Sequence, residues 1–141
     1  MLVIDASALV ELLTVDPDDE PDLASRVHEV EWMSAPELID YEVLNVLRKM
    51  VLRGDIEVDL AQESRLALGD LRLSRHPLTD EIADRVWELR HNASAYDAAY
   101  LALAEHLNVP LVTVDRRLAE GLQQLTPVTI ESYAMTSPSG A

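Results

Sequence analysis

The chain has 141 residues, 48% hydrophobic and 26% charged, an ordinary composition for one compact domain with a single core. Eleven Lys plus Arg against 26 Asp plus Glu give a net charge of −15, so the basic footprint usual in nucleic-acid binders is missing. The absence of cysteine excludes disulfides, thiolate metal sites and cysteine nucleophiles and leads us to expect a reducing, cytoplasmic compartment, and no signal peptide or membrane span is expected from the hydropathy.

In chain order, residues 2–4 form a short apolar run without alternation, as in a strand buried on both faces of a parallel sheet, and the run ends at Asp5. Residues 6–13 carry apolar side chains at helical spacing, and the acidic, proline-marked stretch 16–22 reads as a solvated turn before a second helical segment at 23–30. A second strand is predicted at 31–35, then a long helix at 37–53, with Ser34 and Glu37 spaced as a capping box, Pro36 near its start and Gly54 closing it. Within that helix Leu38, Val43 and Leu47 read mainly as core positions. A helix at 60–71, a weak strand at 71–76 broken by Pro77, and helices at 79–90 and 94–107 follow. Residues 109–114 form another apolar strand run ending at Asp115, a short helix spans 116–122, and a last strand covers 128–130. Strands alternating with helices predict an α/β fold, a parallel sheet with right-handed crossovers and both faces covered. One domain is expected over 1–133, with a flexible tail of Ser, Pro and Gly character at 134–141.

In such folds functional groups gather just beyond the carboxyl ends of the strands, where Asp5 and Asp115 fall. Two carboxylates there repel each other unless a cation or proton intervenes. Each acid also has a structural explanation. Asp115 stands where a helix N-cap is needed; so does Asp5, although Ser7 is an alternative cap for that helix. Asp97 is the third helical position after Ser94, a capping-box spacing, yet it shares an inward-packing face with Tyr100, Leu101 and Ala104. Glu42 lies among Leu38, Ile39, Val43, Val46 and Met50, with Asn45 and Lys49 further along, where an internal ion pair or a boundary position would explain it. Together the acids suit a hard divalent cation such as Mg²⁺ or Mn²⁺, which takes oxygen ligands and activates water against a phosphodiester. His28, His76, His91 and His106 lack the paired spacing of a zinc site and read as surface or helix-edge residues; no glycine-rich phosphate loop or nucleophile elbow occurs. The basic residues are grouped, Arg48 and Arg53 with Lys49, and Arg116 with Arg117, which suits solvated helix faces and phosphate contacts equally.

At these residues the chain resembles the PIN-domain ribonucleases, and within them the VapC-type toxins. The stretches that carry the resemblance are VIDASALVELL, APELIDYEVLNVLRK, SAYDAAYLALAE and VPLVTVDRRLAEGL, in the family's order and spread over nearly the whole chain. The resemblance implies a three-layer fold with a parallel five-stranded sheet of order 3-2-1-4-5. It implies that Asp5, Glu42, Asp97 and Asp115 form a catalytic, metal-binding quartet for Mg²⁺ or Mn²⁺, with Ser7, Asn45 and Thr113 supporting them. It also implies an RNA substrate hydrolysed at its phosphodiester bonds, a cognate VapB-type antitoxin and a homodimer. Arg48, Arg116 and Arg117 are the candidate RNA contacts. Two departures stand out: Val114 replaces a commonly smaller residue, and the chain is unusually acidic.

Other readings fit less well. A catalytically inactive PIN-like binding module, acting through protein–protein contacts, would not need the intact acid set. A phosphoacceptor receiver domain needs an acid pair at its first strand and a lysine after a late strand, whereas the only lysine, Lys49, lies in a predicted helix. A haloacid-dehalogenase-type phosphatase needs Asp-x-Asp where this chain reads Asp5, Ala6, Ser7.

Overall fold

The structure, a computed structural model, describes residues 1–134. The apolar run Leu2–Ile4 is strand β1, buried throughout, and helices α1 (Ala6–Thr14) and α2 (Pro21–His28) follow it. Strand β2 (Met33–Pro36) leads into helices α3 (Ile39–Leu52) and α4 (Val58–Leu68), and strand β3 (Leu73–His76) into helices α5 (Asp80–Glu88) and α6 (Ala95–Leu107). Strand β4 (Leu111–Thr113), helix α7 (Arg116–Leu122), a 3-10 turn at Gln123–Leu125 and strand β5 (Ile130–Ser132) complete the order. Every strand pairing is parallel, in the order β3-β2-β1-β4-β5, as the resemblance implied.

This order decides where the helices go. From β1 the chain steps outward through β2 to β3, so right-handed crossovers put α1 to α4 on one face of the sheet; it then returns to β4 and steps the other way to β5, which puts α5 to α7 on the opposite face. The packing agrees, with α1 against α3 and α4, and α5 against α6, which itself lies on β1 and β2. Reversal of direction leaves β1 and β4 side by side, Val3 opposite Leu111 and Ile4 opposite Val112. The crevice beyond their carboxyl ends is the switch point at which open α/β sheets bind ligands.

The core is the sheet plus one stripe from each helix. Leu2, Ile4, Leu9, Ile39, Leu101, Leu103 and Leu111 are fully buried, each such side chain stabilising the fold by about 1.5–3 kcal/mol. On α3, Val43 and Leu47 are buried, and Leu38 just before it is partly buried, as their spacing predicts. Among the described residues no helix is long and apolar enough to cross a membrane.

Four local expectations are corrected. The long helix begins at Ile39 rather than at residue 37, because β2 runs on through Pro36, which pairs with His76, while the Glu37 N–H donates to the His76 carbonyl at 3.0 Å. Ser34 therefore lies within the strand, fully buried, and caps nothing: its hydroxyl donates to Met1 Sδ at 3.4 Å and sits 3.2 Å from His76 Nε2. His76, accordingly, is a half-buried strand residue and not a surface one. The last strand pairs from Ile130, two residues later than predicted from its start, because the Gln123 amide donates to the Val128 carbonyl and accepts from Ile130 N–H, both at 2.8 Å. The expected tail falls outside the described residues from position 135 onward. Gly54 does end the long helix segment, at φ +78°, a conformation that costs an L side chain about 1 kcal/mol or more.

Candidate active site

Asp5 is the first residue after β1, and both of its oxygens are occupied. Oδ1 accepts from Ala8 N–H at 2.9 Å and from the Ser7 hydroxyl at 2.7 Å; Oδ2 accepts from the Thr113 hydroxyl. The cap of α1 is thus Asp5 itself, and Ser7 serves Asp5 rather than replacing it. The carboxylate is 5% exposed, and burial pushes its pKa up to about 6 against the pull of those three hydrogen bonds, with the nearby Asp115 charge raising it further.

Asp115 lies two residues beyond β4, the neighbour of β1. Its N–H donates to Thr113 Oγ1 at 2.9 Å, and its Oδ1 caps α7 by accepting from Arg117 N–H at 3.0 Å and Leu118 N–H at 3.2 Å. Thr113, fully buried, therefore links the two aspartates through one hydroxyl, with Ser7 Oγ 3.3 Å away. The two strand-end acids do cap helices, as their structural explanations require. Capping uses one oxygen of Asp115 and does not exclude a second role.

The other two acids come from helix starts. Asp97 lies in the first turn of α6, where its N–H donates to Ser94 Oγ at 3.1 Å; burial first, then the charge of Asp115, raises its pKa, partly offset by Ser94. Glu42 lies in the first turn of α3, and its Oε1 accepts from the Tyr100 hydroxyl at 2.7 Å. Burial and the charge of Asp97 raise its pKa while the Tyr100 bond lowers it. A chain of mutual repulsion thus runs from Glu42 to Asp97 to Asp115 to Asp5 at the switch point. The internal ion pair that would have explained Glu42 is absent: among the described residues no Lys, Arg or His forms a salt bridge with any of these four acids.

The remaining sequence candidates divide. Ser7 and Thr113 touch the acids. Asn45 is exposed one turn beyond Glu42 and has no hydrogen bond to any of them among the described residues. Arg48 is exposed on the side of α3 that faces α4, beside Leu44, Val58 and Arg65. Arg116 and Arg117 are exposed at the start of α7 directly after Asp115, Arg116 pairing with Glu120 at 3.0 Å. Helical periodicity marked Tyr100 only as a core residue; its hydroxyl contact with Glu42 was not foreseen. The available signal is that a buried tyrosine, unlike phenylalanine, must find a partner for its O–H.

Chemically, the site is an all-oxygen donor set carrying uncompensated negative charge. That matches a hard divalent cation, which keeps several waters and needs only one or two carboxylates directly. As the side chains stand, no three acidic or histidine groups among the described residues converge closely enough to share one ion. The donors match such an ion in chemistry and charge, and the side chains would have to draw closer to share one.

A sequence profile of the PIN domain matches residues 2–121. The chain belongs to the PIN-domain family. Ribonuclease VapC9 of Mycobacterium tuberculosis is 35% identical over 130 residues, which is 92% of this chain and 98% of that protein. Ribonuclease VapC1 of the same species is 39% identical over 117 residues, 83% of this chain and 87% of the relative. A solved toxin–antitoxin complex from Klebsiella pneumoniae has the same fold, with a TM-score of 0.68 at 17% identity over 96% of this chain and 100% of that one. The PIN-domain match includes the positions of Asp5, Glu42, Asp97 and Asp115.

Proposed function

We propose that this PIN domain is the toxin of a toxin–antitoxin pair, an endoribonuclease that hydrolyses RNA phosphodiester bonds with Mg²⁺ or Mn²⁺ held by Asp5, Glu42, Asp97 and Asp115. The observation that carries the reading is four acids from four separate segments around the sheet's switch point, near enough for their charges to act on one another and with no basic side chain paired to them among the described residues. The kinship to proteins named VapC ribonucleases supports the chemistry.

A bound divalent ion would supply charge neutralisation at the scissile phosphate and an activated water. The chain's own residues have distinct tasks. Asp5 is held rigid by three donors, and Thr113 ties it to the backbone of Asp115, so the β1 and β4 acids keep one relation. Asp97 and Glu42, half-buried, come from the first turns of helices in the two layers. α1, α3 and α7 begin just after the carboxyl ends of β1, β2 and β4, so their positive N-terminal ends lie at this edge and offset part of the carboxylates' repulsion of a phosphate. Arg116 and Arg117, exposed beside Asp115, are the proposed contacts to RNA phosphates; Arg48 is a third. Asn45 is left as a candidate support reached only by movement of its side chain.

The surface chemistry is compatible with the partners that the resemblance implies. An acidic surface of net charge −15 suits a basic antitoxin segment of the VapB type. An apolar cavity of about 350 Å³ between the α3 start, the β3 end and α6, rimmed by the exposed Leu78 and Tyr96, suits a homodimer contact. Expression in a bacterial host is expected to arrest growth and leave new 5′ ends in cellular RNA, while the Asp97→Asn chain does neither; equal growth with the parent chain and no new ends would overturn the toxin reading.

A further inference from the structure

We infer that Tyr100 is a positioning residue for the acidic site: its buried phenol fixes one oxygen of Glu42 and so holds the other toward Asp97 and the switch-point crevice. This rests on the metal-dependent reading proposed above. Tyr100 is 1% exposed and is the bulkiest of the fully buried side chains. Filling that space requires only a ring. The chain nevertheless places a hydroxyl there, and a buried hydroxyl needs a partner. Its partner is Glu42 Oε1, at 2.7 Å, a carboxylate with no cation beside it and no other side-chain hydrogen bond among the described residues.

The position of the phenol gives the bond its consequence. Tyr100 follows Asp97 by one turn of α6 on the same helical face, whereas Glu42 stands on α3, in the other helical layer. The relation between these two acids is therefore fixed by the Tyr100 hydroxyl and not by either helix alone. Asp5, Asp97 and Glu42 all lie near enough for their charges to act on the phenol. Glu42 is only half-buried and has three side-chain torsions; without the bond it would turn to solvent, away from its like-charged neighbours. With Oε1 engaged, Oε2 is the oxygen left to ligate, the arrangement by which outer hydrogen bonds orient metal-binding carboxylates.

The test is calorimetric titration of Mn²⁺ into the full-length parent, Tyr100→Phe, Glu42→Gln and the double variant, with thermal melts in EDTA alongside. Tyr100→Phe keeps the ring and is expected to melt close to the parent in EDTA but to bind Mn²⁺ about tenfold more weakly. In the Glu42→Gln background the same substitution is expected to change nothing further. Unaltered Mn²⁺ affinity in Tyr100→Phe, or an equal loss with and without Glu42, would assign Tyr100 to packing alone and overturn the inference. A parent that takes up no Mn²⁺, or an Asp5→Asn variant that binds it as the parent does, would instead remove the metal-dependent reading, and the role of Tyr100 with it.

Discussion

Asp5 shows most directly what the site costs the fold. Its carboxyl takes up a proton at about pH 6 in the folded chain against 3.8 as the ordinary value, because burial opposes its charge more than three hydrogen bonds favour it. A raised folded pKa means stability that is complete below the ordinary value and lost as pH climbs through the folded one, here from about 3.8 to about 6. A shift of that size corresponds to about 3 kcal/mol. Asp5→Asn removes the charge and retains one acceptor, so at pH 7.5 it is expected to be more stable than the parent by about 1–3 kcal/mol, a gain that disappears near pH 4; urea unfolding at the two pH values reads it. The Thr113→Val change acts oppositely. It deletes the donor to Asp5 Oδ2 and the acceptor of Asp115 N–H, and is expected to cost about 1–3 kcal/mol at pH 7.5 and less at pH 5, where Asp5 is largely protonated. Both aspartates were legible in the sequence, since a carboxylate that ends a buried apolar run has few explanations. The hydroxyls that hold them were legible only through resemblance, and the Tyr100 contact was not, because hydrophobic periodicity registers the ring and is blind to its O–H.

At the scale of elements, each acid owes its place to how a strand ends or a helix begins. The Ser94 hydroxyl accepts from Asp97 N–H and so starts α6 where Asp97 falls in its first turn. Ser94→Ala is expected to destabilise the chain by about 1 kcal/mol, seen as a drop of about 3–5 °C in Tm, and to loosen Asp97 without touching Asp5. Strong local signals were read correctly: Gly54 ends the long helix segment, and Ser94 caps the helix it opens; Thr79, read as the first residue of its helix, is instead the cap of α5. The Ser34–Glu37 spacing misled because a capping box is a statement about four residues, whereas the start of α3 is decided by pairing between Pro36 and His76, 40 residues apart in the chain. The shift of β5 has the same origin: the Gln123 side chain holds the backbone at Val128, a contact that no local pattern encodes. Strand order, too, came from resemblance, since alternation of strands and helices fixes the handedness of crossovers but not which strand lies beside which.

For the whole molecule the governing quantity is the charge of −15, gathered partly at one edge of the sheet by the four acids. Repulsion within the compact state is screened by salt, so Tm is expected to rise between 20 and 300 mM KCl, over which the Debye length shrinks from about 20 to 6 Å. Mg²⁺ or Mn²⁺ is expected to raise the parent's Tm further at constant ionic strength and to leave that of Asp5→Asn unmoved, because only specific binding stabilises by mass action. Excess negative charge looks adverse for an RNA-cleaving protein, yet it is consistent with one whose substrate meets bound cations and helix N-termini at the cleft and whose partner is basic. The measurement that bears most directly on this is cleavage of total cellular RNA by the purified full-length protein with Mg²⁺ or Mn²⁺, with EDTA, and with Asp97→Asn in place of the parent. Defined fragments that form with metal and vanish both in EDTA and with the variant are the expected result. Cleavage that persists in EDTA or with Asp97→Asn would contradict the acidic-site mechanism, and a folded, metal-binding, antitoxin-free protein that cleaves nothing would contradict the assignment as a ribonuclease.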